Sequence, residues 1–142
     1  AQLTGVDLSA GMITRAAKTN YYDKLFESEL TDYLARHPQA YDLAVFADTL
    51  CYFGDLEDVI TASAGSLRTQ GAVLFSVEKI PWKNDSKGYR LHAHGRYSHS
   101  QAYIERTLSS AGFSGIECTE ETLRLDMGKK VAGLIVTAKM TG

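Results

Sequence analysis

Cysteine is scarce in this chain: Cys51 and Cys118 are the only two in 142 residues. They lie far apart, and two small hydrophobic side chains in a reducing compartment are the simplest account of them. A disulfide framework and a cysteine-based metal centre are set aside on that ground. No apolar run comes near the roughly 18 residues needed to cross a bilayer. No basic segment followed by an apolar one opens the chain, so no secretory leader is read and a cytoplasmic location is expected. Positive charge is not in excess either, with 15 Lys and Arg against 17 Asp and Glu for a net charge of −2. A binder held mainly by nucleic-acid phosphates would show the opposite balance. Neither a nucleic acid nor a membrane is therefore an expected partner.

What is present suits one globular domain over residues 1–142. Hydrophobic residues make up 44% and charged residues 23%, and a chain this long buries roughly 70% of its unfolded surface without disulfides or metals. Residues 3–6 read as a short apolar strand. Ser9 can cap a helix from Ala10 to about Thr19, with Met12, Ile13, Ala16 and Ala17 on one face. A second short strand falls near residues 24–27, and a short helix over 31–37 stops before Pro38. LAVFA (43–47) is a continuous apolar run of the kind that forms a doubly buried parallel strand. Asp55 opens a helix over 56–67, Thr69-Gln70-Gly71 reads as a turn, and residues 72–77 form another buried strand. The stretch 80–97 is the least regular and reads as a long surface loop, in which Trp82 is either a lid anchor or a loose surface aromatic. Ser98-His99-Ser100-Gln101 matches a capping box for a helix that Gly112 ends. Residues 113–125 and 131–140 form an antiparallel hairpin. Strand–helix alternation implies a mostly parallel sheet covered by helices on both faces, closed by this C-terminal antiparallel pair. The fold class is α/β.

The start of the chain, LTGVDLSAGMITRAAK, is the most informative stretch. Asp7 falls where a strand ends and Ser9 where a helix begins. In nucleotide-binding α/β folds a carboxylate there accepts hydrogen bonds from ribose hydroxyls. Nicotinamide-dependent oxidoreductases use such a residue too, but a terminal antiparallel hairpin argues against them. His92, His94 and His99 have no cysteine or carboxylate in a ligand pattern around them, so no metal site is expected.

Taken in order, four segments resemble the class I S-adenosylmethionine-dependent methyltransferases: residues 3–17, YDLAVFADTLCYFGDLEDVI (41–60), LRTQGAVLFSVE (67–78) and YSHSQAYIERTLSSAGF (97–113). They are similar to that family's second strand and helix, fourth strand and helix, fifth strand, and the helix before the last strand pair. GRYSHS (95–100) and VAGLIVTAK (131–139) further resemble a bacterial subgroup in which tetratricopeptide repeats precede the methyltransferase domain. The resemblance implies a Rossmann-like sheet and S-adenosylmethionine as cofactor. It implies Asp7 on the ribose, Met12 against the adenine, Glu29 with Leu30 at the adenine amino group, and Asp48 where cofactor and substrate meet. Arg96, Tyr97 and His99 would stand at the substrate mouth, with Tyr52 in the pocket wall and His99 as a candidate base. No obligate catalytic residue is named, because the sulfonium methyl is already electrophilic. A small molecule or a protein side chain is the expected acceptor.

One departure from the family is large. Its first strand and glycine-rich loop have no counterpart in these residues, so the strands at 3–6 and 43–47 would face each other across a gap. One of three outcomes is expected: the protein extends upstream, another chain supplies the strand, as a second copy in a homodimer would, or the sheet closes with altered pairing. A catalytically inactive fragment serving as an interaction or dimerisation module is the alternative to a truncated enzyme.

Overall fold

The computed structural model describes residues 1–80 and 87–141. Trp82 therefore lies outside the described residues. The chain begins with a parallel unit: β1 (Thr4–Asp7), α1 (Ala10–Ala17) and β2 (Lys24–Glu27), with Thr4 opposite Lys24 and Asp7 opposite Glu27. Ser9 caps α1, its hydroxyl accepting from the Met12 amide at 3.3 Å. Then come α2 (Leu30–Ala35), β3 (Tyr41–Phe46), a single 3-10 turn at Leu50–Tyr52, α3 (Glu57–Ser66) and β4 (Leu67–Lys79). β3 and β4 are parallel, with Ala44 opposite Val73 and Phe46 opposite Phe75. The chain continues through β5 (Tyr89–Leu91), β6 (Tyr97–His99), α4 (Gln101–Ser110), β7 (Phe113–Asp126) and β8 (Lys129–Met140). β8 lies antiparallel to β4 and forms the long hairpin with β7. Met127 and Gly128 link the two with φ of 49° and 77°, the left-handed pair that a two-residue turn needs to match strand twist.

Burial alternates along the central strands. Val73, Phe75 and Val77 of β4, with Ala44 and Phe46 of β3 and Leu134 and Val136 of β8, share the core with Leu34 of α2, Leu56 just before α3, Val59 and Ile60 of α3, and Ile104 and Leu108 of α4. Each fully buried large aliphatic there contributes about 1.5–3 kcal/mol relative to exposure. Val6 and Leu30 pack on the same core, and the hydroxyls of Tyr33 (α2) and Tyr41 (β3) are hydrogen-bonded. The β1–β2 unit is thus fastened to the larger sheet through α2.

Five expectations about the elements need correction. The stretch 80–97 is not all loop, because β5 and β6 pair there, and β6 runs parallel to Glu78 and Lys79 of β4. β4 starts at Leu67, so Thr69 to Gly71 belong to it; Gln70, at φ 66°, absorbs a register shift against β3. The cap of α4 is Ser100, not Ser98: its hydroxyl accepts from the Tyr103 amide at 3.2 Å, while Ser98 stays in β6. The larger sheet is helix-covered on one face, since the alternate side chains Leu43 and Val45 are 55% and 54% exposed. The sheet has not closed up either. Among the described residues β1 pairs only with β2 and β3 only with β4, leaving two sheets, with β1 and β3 each keeping an unpaired edge.

Candidate functional site

Parallel strands send their side-chain-bearing loops to one end, and ligands of open α/β sheets gather there. At the end of β1 the Asp7 carboxylate is exposed, and its Oδ1 accepts from the Ser9 amide at 2.8 Å. Its second oxygen has no recorded partner in the described residues. Met12, one turn into α1, is 50% exposed, so its thioether is not spent on core packing. At the end of β2, Glu29 caps α2, with Oε2 accepting from the Asp32 amide at 2.7 Å. Leu30 begins that helix, where first-turn amides have no intrahelical acceptor. At the end of β3, Asp48 adopts φ 48°, a left-handed conformation that aspartate tolerates better than most residues. Its amide donates to Ser76 Oγ at 3.4 Å, and its side chain is left largely in solvent.

Beyond Asp48 the Leu50–Tyr52 turn buries Cys51 and leaves Tyr52 59% exposed. Burial pushes the Cys51 thiol up; Arg96 and Arg124 oppose that, while Glu78 and Asp48 add to it. A protonated thiol packed under charged groups is not a nucleophile at neutral pH. Above it opens a cleft of about 460 Å³ lined by Tyr52, His94, Arg96, Arg124, Leu125 and Asp126. Arg96 stands beside Tyr52, whose hydroxyl raises the pKa of the guanidinium. Arg124 reaches from β7 to the ends of β3 and β4. Its Nη2 lies 3.1 Å from Glu78 Oε2 and its Nη1 3.8 Å from Asp48 Oδ1. Glu78 is buried, and its Oε2 gains charge compensation from Arg124 without an aligned hydrogen bond. The next residue, Lys79, reaches Glu120 on β7 at 2.8 Å, a second tie between the same strands.

The family follows from the sequence. Residues 1–117 match the family described as methyltransferase domain. The chain belongs to it. Solved methyltransferases share the domain's shape at low identity. An S-adenosylmethionine-dependent methyltransferase from Methanosarcina mazei superposes with a TM-score of 0.73 at 15% identity, over 99% of this chain and 82% of that one. The N-methyltransferase NodS from Bradyrhizobium japonicum WM9, in complex with S-adenosyl-L-homocysteine, gives 0.72 at 15%, over 99% and 67%. The 1,6-didemethyltoxoflavin-N1-methyltransferase of Burkholderia thailandensis, with 1,6-didemethyltoxoflavin and S-adenosylhomocysteine bound, gives 0.71 at 16%, over 99% and 62%. At these identities the likeness is one of fold. Comparison with curated protein sequences gives no match.

Within this methyltransferase domain, Asp7, Met12, Glu29, Leu30 and Asp48 all fall at or just after the carboxyl ends of β1, β2 and β3. Tyr52 and Arg96 meet in the cleft. Tyr97 and His99 are not brought to it. His99 is fully buried on the α4 side, stacked on Tyr103 at 6.2 Å, with Nε2 3.0 Å from the Gly54 carbonyl. Nε2 carries the proton for that bond, and Nδ1 is left without a partner. Burial lowers the His99 pKa. Tyr97 packs edge-on to Tyr89 at 6.1 Å and over Gly54, where an added Cβ would stand 2.7 Å from the Tyr97 ring. Sequence reasoning missed Arg124, Asp126 and Leu125, and weighed His94 only as a metal ligand. Alternation in TLRLD puts Arg124 and Asp126 on one face, a signal that was available; the fold that carries this face to the end of β4 was not. No cluster of three potential metal ligands occurs among the described residues.

Proposed function

We propose that this domain holds S-adenosylmethionine across the carboxyl ends of β1, β2 and β3 and directs its methyl group to a small molecule or a protein side chain in the adjoining cleft. The observation that carries the reading is Asp7: an exposed strand-end carboxylate, fixed by the Ser9 amide through one oxygen, with the other open to a ribose diol. Met12 stands a turn further along α1 with half its surface free to cover an adenine face. Glu29, already fixed as the α2 cap, keeps Oε1 for the adenine amino group, and the first-turn amide of Leu30 faces no helical acceptor. When bound, the cofactor supplies a sulfonium methyl, an electrophile that needs an aligned nucleophile more than an acid or base. Asp48, held in its left-handed turn beside Arg124, marks the passage from the adenosine side to the cleft. Proximity and orientation are then this chain's contribution to the rate. Backbone-amide NMR of the 142-residue chain titrated with S-adenosylhomocysteine tests the placement. Saturable shifts at residues 7–12, 28–30 and 47–49 support it; shifts confined to other elements, or none, contradict it.

A second reading, an interaction module, is favoured by one observation. The free edges of β1 and β3, with Leu43 and Val45 exposed beside them, form a site where a further strand can pair. That strand comes from a longer polypeptide in a truncated-enzyme reading, or from a second copy in a homodimer. Light scattering across a dilution series separates the two, since only exchange between copies gives a mass that doubles with concentration.

A further inference from the structure

We propose that the ligand of the cleft carries an anionic group, a carboxylate or a phosphate, held between Arg96 and Arg124. This deepens the methyltransferase reading by naming the substrate class, and rests on it only for what happens after binding. The two guanidinium groups come from distant parts of the chain, the start of the β6 region and the far end of β7, and converge on one cleft with His94. Arg124 is ion-paired from behind: buried Glu78 lies 3.1 Å from Nη2 and strand-end Asp48 3.8 Å from Nη1. A guanidinium has five N–H donors, so these two contacts leave donors for a ligand. Arg96 stands beside the uncharged Tyr52 in the lining, and none of the ion pairs among the described residues includes it.

The cleft thus holds one neutralised cation and one without a carboxylate. The one acidic group in its lining, Asp126, forms no ion pair with either arginine. Paired guanidinium donors suit the flat carboxylate and the phosphate oxygens better than any neutral group. Because Glu78 already pairs with Arg124, less of that side chain's entropy is left to lose on binding. The Tyr52 ring and Leu125 give the rest of the ligand apolar wall, and about 460 Å³ accommodates a small molecule. The position beside Asp48 puts such a ligand next to the proposed methyl donor site.

The test is an NMR titration of the 142-residue chain with inorganic phosphate and, separately, with succinate, at ionic strength held constant by chloride. Arginine Nε–H signals and the Tyr52 amide are the readout. Saturable shifts at Arg96, Arg124 and Tyr52 with either anion are expected, and which anion binds more tightly tells phosphate from carboxylate. Arg96→Gln should weaken binding about tenfold, the effect of one charge-assisted contact, while Arg96→Lys restores part of it. Absence of saturable shifts with both anions overturns the proposal, as does an Arg96→Gln chain that folds and binds as tightly as the original. Anion binding without any S-adenosylhomocysteine binding would instead sink the cofactor reading and leave this one standing.

Discussion

Removing Arg124 should destabilise the fold through Glu78 rather than through the arginine's own contacts. Arg124→Met keeps most of the aliphatic stem and deletes the charge. It leaves the Glu78 carboxylate, 9% exposed, with no cation at 3.1 Å. Stripping one partner from a fully buried pair costs about 3–5 kcal/mol. Arg124 is itself 26% exposed, so solvent relieves part of the penalty and about 2 kcal/mol is the working figure. For a domain of this size that corresponds to a Tm drop of about 4–8 °C. Glu78→Gln should cost about 1 kcal/mol, because Arg124 keeps solvent and the more distant Asp48 while the uncharged amide is cheaper to bury. The double variant should cost less than the two added together, with a coupling of about 1 kcal/mol. Urea unfolding of the four proteins, with calorimetric Tm as a second probe, measures the cycle. Additive costs, or an Arg124→Met chain within about 0.3 kcal/mol of the original, would refute the view that the end of β7 is anchored by this pair.

Gly88 has φ 84°, and an added Cβ would lie 2.4 Å from Tyr103 Cβ and Cγ, so Gly88→Ala should cost about 2–4 kcal/mol in urea unfolding. Gly65, with nothing within 4 Å and a helical backbone, is the control, and Gly65→Ala should gain about 0.5 kcal/mol. His99 is held neutral by burial, its pKa lowered from 6.5. Its contribution is therefore fully present above pH 6.5 and is lost as pH falls from there toward the folded-state pKa, since the unfolded chain takes up the proton first. Stability measured between pH 7.5 and about pH 5.5 should decline more steeply for the original chain than for His99→Gln, which keeps a donor for Gly54 but cannot titrate; parallel curves would show that His99 does not titrate with folding.

Much of the frame was legible in the sequence because it rests on local chemistry. Ser9 before a helix, the LAVFA run, and the long terminal hairpin need no tertiary information, and their order carried the family. The misreadings have tertiary causes. Residues 69–71 look like a turn because Gln70 and Gly71 suit one, yet Leu67 pairs with Tyr41 on β3 and the strand already begins there. Ser98 and Ser100 are equivalent as caps until β6 pairs with β4 and claims Ser98. His99 looked like a base because its residue type allows it, but its place in β6 opposite Lys79 sends the ring toward Gly54 and Tyr103. Arg124 lies 76 residues from Asp48 in sequence, and only the register of β7 on β8, with its shift between Thr122 and Arg124, brings the two together.

The adenosine site proposed at Asp7 is the centre of this reading, and calorimetric titration of S-adenosylhomocysteine into the original chain and into Asp7→Asn tests it most directly. Asp7→Asn preserves an acceptor for the Ser9 amide and removes the charge offered to the ribose hydroxyls, so the fold is kept. The expected result is measurable binding by the original chain that weakens about tenfold or more in Asp7→Asn, with no such loss for an analogue lacking both ribose hydroxyls. Equal affinity of the two proteins for S-adenosylhomocysteine, or no binding to either, would contradict the assignment of Asp7 and the cofactor site built around it.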